Sequence, residues 1–178
     1  MTPSADPALV LVGPMGAGKT SIGRRVAKAL GTGFVDTDAL VVQEHGPIPA
    51  LFEAHGEEHF RALERAAVQQ ALLRGGVVSL GGGSVLDART RDDLRGHRVA
   101  LLTVSPAIVA GRIAGAGRPL LAGDDDPIAS WRRIFESRLP LYREVADETF
   151  DTSSGPLGDV VEAIATWARS ATPKGERP

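Results

Sequence analysis

The stretch GPMGAGKT, residues 13–20, constrains this chain more than any other eight residues in it. It has the Gly-x4-Gly-Lys-Thr spacing, follows directly on the apolar run ALVLV, and leads into the helix-forming SIGRRVAKAL. Strand, glycine loop and helix in that order let successive N–H groups point inward, and the helix N-terminus adds partial positive charge at the same place. Such a loop takes phosphate groups. Lys19 is placed to span the β- and γ-phosphates of a nucleotide and the Thr20 hydroxyl to ligate magnesium, with Gly16, Ala17, Gly18 and Ser21 completing the cradle. The alternative, a glycine turn that merely contains Gly-Lys-Thr, does not explain why strand and helix stand in register on either side.

A strand feeding a helix through such a loop implies a parallel sheet covered on both faces, and the rest of the chain keeps the alternation. Apolar runs predict strands over 8–12, 33–35, 77–80 and 99–104, with a weaker one over 148–150. Helical patterns cover 19–30, 39–73, 106–113, 128–142 and 157–170. The expected fold is α/β, a three-layer P-loop fold with a five-stranded parallel sheet flanked by helices. The tails, 1–7 and 171–178, are rich in Pro and small or polar residues and are expected to be disordered, leaving one domain over 8–170.

A formal charge of −2 argues against nucleic acid or an anionic membrane as partner, and one Tyr, two Trp and five Phe offer little surface for stacking bases. With no cysteine there are no disulfides or thiolate metal sites, and a cytoplasmic enzyme fits. No apolar run approaches a membrane span, and no charged-then-apolar leader opens the chain. Three lysines stand against seventeen arginines, so an arginine here must be argued from its position. A P-loop can also serve a regulatory GTPase-type switch; guanine readers usually carry Asn/Thr-Lys-x-Asp, which this chain lacks.

In FVDTD, residues 34–38, Asp36 and Asp38 stand at the carboxyl end of the second strand, where ligands of doubly wound sheets bind. One carboxylate can steady a magnesium shell and the other grip a substrate hydroxyl; alternatively, Asp38 caps the helix that follows. EEHFRALERAAVQQALL, residues 57–73, is an amphipathic helix with Arg61 at its edge between Glu57 and Glu64, a spacing that surface ion pairing also explains. Arg138 differs. The stripe 128, 131, 135, 138, 142 is otherwise apolar, and an inward guanidinium needs an anionic partner, from the protein or bound. Pro140 is expected to end or kink that helix. GRIAGAGRPLLAGDDDP, residues 111–127, reads as a glycine-rich lid carrying Arg112 and Arg118, or as an ordinary flexible loop. VVSLGGGSV ends a buried strand in Gly81, Gly82 and Gly83 where many nucleotide-binding strands end in aspartate. Close backbone approach to a small polar ligand, with the Gly82 N–H donating, competes there with a plain tight turn. HGEEH lacks the glutamate a zinc-protease helix needs after its first histidine, and GGGS lacks the spacing of a hydrolase elbow.

In this order GPMGAGKT, SIGRRVAKAL, FVDTD, GEEHFRALE, VVSLGGGSV, GRPLLAG and RLPLYREVA resemble the shikimate kinase family over roughly residues 9–150. The P-loop is widely shared; D-T-D, E-x-F-R, the glycine triplet, R-P-L-L and R-x-P-x-Y are specific. The resemblance implies phosphorylation of the 3-hydroxyl of shikimate from ATP with Mg2+, a step of aromatic amino-acid biosynthesis toward chorismate. It implies a substrate-binding region over about 37–65 and a lid over about 112–126. Asp36 would act through the magnesium shell together with Thr20, and Asp38 would bind the ring hydroxyls and orient the attacking oxygen. Arg61 and Arg138 would clamp the shikimate carboxylate, Glu64 supporting Arg61, and Gly81, Gly82 and Gly83 would line the ring. Arg118 and Arg112 would bind ATP phosphates, with Lys19, Asp38 and Arg118 the catalytic set. A monomer acting on small molecules is expected. A gluconate or nucleoside-monophosphate kinase is the runner-up, and the paired arginines favour a carboxylated acceptor over it. Two departures stand out: DTSSGPLG, residues 151–158, lacks the arginine that many members pack on adenine, and prolines occupy 47 and 49.

Overall fold

The computed structural model describes residues 6–113 and 126–170. The tails expected at 1–7 and 171–178 lie outside these apart from residues 6 and 7. The expected lid, 112–126, lies outside apart from Arg112, Ile113 and Asp126, so Arg118 is not among the described residues.

LVLV forms β1 (Leu9–Val12), buried along its whole length, as a strand covered on both faces must be. Around it the sheet runs β2 (Phe34–Asp36), β3 (Val77–Ser79), β1, β4 (Arg98–Thr103), β5 (Glu148–Asp151), with every pairing parallel. Leu9 lies opposite both Val77 and Arg98, and Asp36 opposite Ser79. That register brings the carboxyl ends of β1, β2 and β3 to one edge, so the P-loop, the DTD segment and the glycine triplet open side by side. One face of the sheet buries Leu40 and Val41 of α2 (Thr37–His45), Phe60 and Val68 of α3 (Ile48–Arg74), and Tyr142 of α6 (Pro127–Val145). The other buries Ile22 and Val26 of α1 (Lys19–Leu30), Val109 of α5 (Pro106–Ile113), Trp131 of α6 and Ile164 of α7 (Leu157–Ser170). None of the helices described is long and apolar enough to cross a membrane.

Four local expectations are corrected. The helix predicted over 39–73 is two helices, α2 and α3, parted at Gly46; Pro47 is the N-cap of α3 and Pro49 lies in its first turn, where a missing N–H leaves no bond unmade. α3 itself bends at Gly56 (φ 81°, ψ 176°), a conformation nearly closed to other residues. Asp36, not Asp38, caps α2: its carboxylate accepts the Ala39 N–H at 3.0 Å. α4 (Ala88–Leu94) was not expected, because ARTRDDL carries no apolar stripe; Asp87 caps it by accepting the Arg89 N–H at 2.8 Å. α6 passes through Pro140 to Val145 instead of stopping at 142, which keeps positions 138 and 142 in the register set by 131 and 135.

At the opposite edge of the sheet, His97 Nδ1 accepts the Ala8 N–H at 3.0 Å, and the Arg98 N–H donates to the Ala8 carbonyl at 3.0 Å. An accepting Nδ1 excludes the proton, and burial lowers the His97 pKa below 6.5 although Asp93 pulls the other way. The unfolded chain then binds a proton that the folded chain refuses, so stability falls as pH drops from about 6.5 through the lowered folded value. Urea unfolding between pH 7.5 and 5 is expected to show this loss, and His97→Asn is expected to flatten that part of the profile.

Candidate active site

The P-loop joins β1 to α1 with Gly13, Gly16 and Gly18 all at positive φ, which is what lets its amides turn inward. Gly16, Gly18, Lys19, Thr20 and Ser21 line an open cleft of about 350 Å³, shared with Asp36, Asp38 and Arg112. Ala17 is buried and does not line it; its N–H turns onto the Pro14 carbonyl at 3.3 Å. Lys19 Nζ donates to the Gly13 and Pro14 carbonyls at 2.8 and 3.0 Å, so it lies folded back along the loop. The Thr20 hydroxyl donates to Asp36 at 2.5 Å, bringing two oxygens of the cleft to one point. Arg112 donates to the Gly16 carbonyl at 3.1 Å and to Thr152, at its hydroxyl (3.3 Å) and carbonyl (3.0 Å). The Thr152 hydroxyl is also within 2.9 Å of the Ala17 carbonyl, tying the loop after β5 to the P-loop. Thr152 carries no signal in the sequence that would have singled it out.

Beside this cleft the glycine triplet collects the remaining groups. A β-carbon on Gly81 would stand 2.6 Å from Asp38 Oδ1 and 2.7 Å from Glu64 Oε1, and one on Gly83 would overlap the Arg61 guanidinium. Glycine at 81 and 83 is therefore required first by neighbouring side chains. The Gly81 N–H is committed to the Thr37 hydroxyl at 3.0 Å, which removes it from the amides expected to face a ligand. Gly82 differs: a β-carbon there meets only ordinary contacts, Gly13 O at 3.5 Å and Met15 N and Tyr142 Oη at 3.6 Å. No acceptor among the described residues meets its N–H.

Arg61 is more than a surface ion pair. It bonds Glu64 at 2.7 Å, and Glu64 is 3% exposed; the contact with the outer Glu57 is 3.1 Å. Burial works against the Arg61 charge, and Glu64 and then Glu57 outweigh it, holding its pKa above the usual guanidinium value. Arg138 is 7% exposed and, among the described residues, makes no ion pair. It lies one turn before Tyr142 on the same helix, and the Tyr142 hydroxyl donates to the Gly82 carbonyl at 2.6 Å. Burial pushes the Tyr142 pKa up to about 12 against the pull of Arg138, so the phenol stays protonated. The sequence reading took Tyr142 only as part of the apolar stripe; a buried tyrosine needs a partner for its hydroxyl, and that signal was available. At the other end of the stripe Trp131 Nε1 donates to the Met15 carbonyl at 2.8 Å, so α6 touches both halves of the site.

Chemically, one edge of the sheet presents a P-loop with its lysine, the carboxylates of Asp36 and Asp38, and two arginines of which one has no carboxylate partner among the described residues. The chain is similar to known proteins over most of its length. The family model described as shikimate kinase covers residues 15–169. The shikimate kinase of Mycobacterium marinum is 44% identical over 170 residues, 94% of this chain and 92% of its own length. That of Corynebacterium efficiens is 46% identical over 162 residues, 90% of this chain and 95% of its own. A solved structure of shikimate kinase from Acinetobacter baumannii in complex with shikimate superposes with a TM-score of 0.87 at 35% identity, over 93% of this chain and 94% of that one. On this match of sequence and fold, the chain belongs to the shikimate kinase family.

Proposed function

We propose that this chain transfers the γ-phosphoryl group of ATP to the 3-hydroxyl of shikimate, giving shikimate 3-phosphate and ADP. The observation that carries the reading is Arg138, buried without a carboxylate partner among the described residues, one turn before the tyrosine whose hydroxyl holds the Gly82 carbonyl. An unpaired guanidinium is costly to bury, and an incoming carboxylate would offset that cost in two-point contact. Arg61, with Glu64 behind it, is the second arm of that clamp.

With the carboxylate held, Asp38 stands at the acceptor side of the cleft, where it would accept the 3-hydroxyl proton and turn the oxygen toward phosphorus. Lys19 would leave the loop carbonyls for the β- and γ-phosphates, and Arg112 would add charge from the other side. Arg118 is given a phosphate role on the R-P-L-L motif alone. Thr20 and Asp36 would hold Mg2+, the Asp36 carboxylate through water, and the ion would neutralise charge on the phosphates. Their shared oxygen corner suits a hard cation, and no three His, Cys, Asp or Glu among the described residues form a metal cage. Both facts agree with an ion that keeps waters and rides on phosphate.

ADP release measured with shikimate, quinate, gluconate, AMP or water as acceptor tests the reading, with and without EDTA. Turnover is expected with shikimate and is expected to vanish with EDTA; turnover with AMP or gluconate but not shikimate would overturn it. The glycines give a second check. Gly83→Ala is expected to push Arg61 aside and weaken shikimate binding by about 1–3 kcal/mol. Gly82→Ala is expected to keep the wild-type melting temperature, so any loss of shikimate affinity in it belongs to the bound ring.

A further inference from the structure

Three glycines in a row are the least rigid backbone a chain can offer, yet here they form the floor of an acceptor site. Each of their carbonyls is tied down. Gly81 O accepts the Ser84 N–H at 3.0 Å and Gly83 O accepts the Leu86 N–H at 3.0 Å, both bonds made within the turn itself. Gly82 O is held from outside, by the hydroxyl of Tyr142, sixty positions along the chain and on another element. One turn earlier on α6 lies Arg138, buried as well and close enough to act on that hydroxyl electrostatically. Tyr142 is 1% exposed, so water does not compete for the bond to Gly82. It remains a donor throughout the working pH range, since burial keeps it protonated.

We propose that Tyr142 is a positioning residue for the acceptor: its hydroxyl ties the Gly82–Gly83 peptide to the helix that carries Arg138 one turn earlier, so that backbone floor and carboxylate clamp keep one spacing. The inference rests on the shikimate reading above. Because a peptide is planar and trans, holding the Gly82 carbonyl also sets the direction of the Gly83 N–H, beside the Arg61 guanidinium. Without the hydroxyl, the Gly82 carbonyl loses its tie to α6, and the bound acceptor must order that peptide against the clamp.

The sequence has one tyrosine, so growth on 3-fluorotyrosine labels Tyr142 alone without altering the fold. The fluorine resonance is expected to move when shikimate is added and to stay in place with ADP alone. In parallel, Tyr142→Phe is expected to raise the KM for shikimate about tenfold, the loss of one buried hydrogen bond that leaves the Gly82 carbonyl unsatisfied, with the KM for ATP within about twofold of wild type. A fluorine signal indifferent to shikimate, or a variant whose two KM values are unchanged or rise together, would overturn the proposal. Wild-type protein is assayed first: absence of shikimate turnover there counts against the function, whereas normal wild-type turnover beside an unaffected variant counts against Tyr142 alone. If the variant does not fold, the fluorine experiment decides.

Discussion

Asp38→Asn is expected to lower kcat by about 10²- to 10⁴-fold, the usual contribution of a positioned general base. The cleft is lined by two carboxylates, Asp36 and Asp38, which stand in different surroundings. Asp36 is already engaged, with one oxygen on the Ala39 N–H that starts α2 and the other on the Thr20 hydroxyl. Asp38 sits one step into α2, its Oδ1 turned to the triplet at Gly81. Asparagine keeps the shape and can still touch a ring hydroxyl, but it cannot accept the proton. The P-loop amides, Lys19 and Thr20 proposed to hold ATP are all kept in this variant, so the KM for ATP is expected to hold. Steady-state assays at saturating shikimate separate these effects. A variant turning over within a few-fold of wild type would remove Asp38 from the chemistry.

Arg138→Met is expected to weaken shikimate binding by about 2–5 kcal/mol, the range found when one partner of a desolvated charge pair is lost. Methionine keeps an apolar stem at this buried position and deletes the charge. In the ligand-free protein that charge has no carboxylate among the described residues, so its removal is expected to leave the melting temperature unchanged or slightly higher. Affinity falling while stability holds is the mark of a residue kept for its ligand. Calorimetric titration with shikimate alongside thermal melts checks both halves; a variant that melts lower and binds normally would make Arg138 structural.

The parts of the molecule legible from sequence are those where one periodicity or one spacing carries the whole signal. GPMGAGKT after ALVLV specified strand, loop and helix together, and α1 and α7 have the bounds their apolar stripes imply. The 128–142 stripe put Arg138 on a buried face, where it lies. What escaped depends on contacts between distant segments. Nothing local says that Asp36 rather than Asp38 caps α2, because both precede a helix-forming run; the choice follows from where Thr20 stands. Gly81 and Gly83 read as backbone freedom, whereas their need arises from Asp38, Glu64 and Arg61 on α2 and α3. α4 was invisible because its seven residues are mostly polar and its hold comes from Asp87 and two buried positions, Thr90 and Leu94. The break at Gly46 and Pro47 was present in the sequence, and the amphipathic pattern on either side overrode it.

The central claim is that one edge of the sheet brings a nucleotide triphosphate and a carboxylated ring together with the 3-hydroxyl in line with the γ-phosphorus. A crystal structure of the protein with shikimate and a non-hydrolysable ATP analogue tests it most directly. The carboxylate is expected between Arg61 and Arg138, the 3-hydroxyl within hydrogen-bond distance of Asp38, and Lys19 moved from the Gly13 and Pro14 carbonyls onto the phosphates. Shikimate bound with its carboxylate away from both arginines, or with its 3-hydroxyl facing away from the γ-phosphate, would contradict the account.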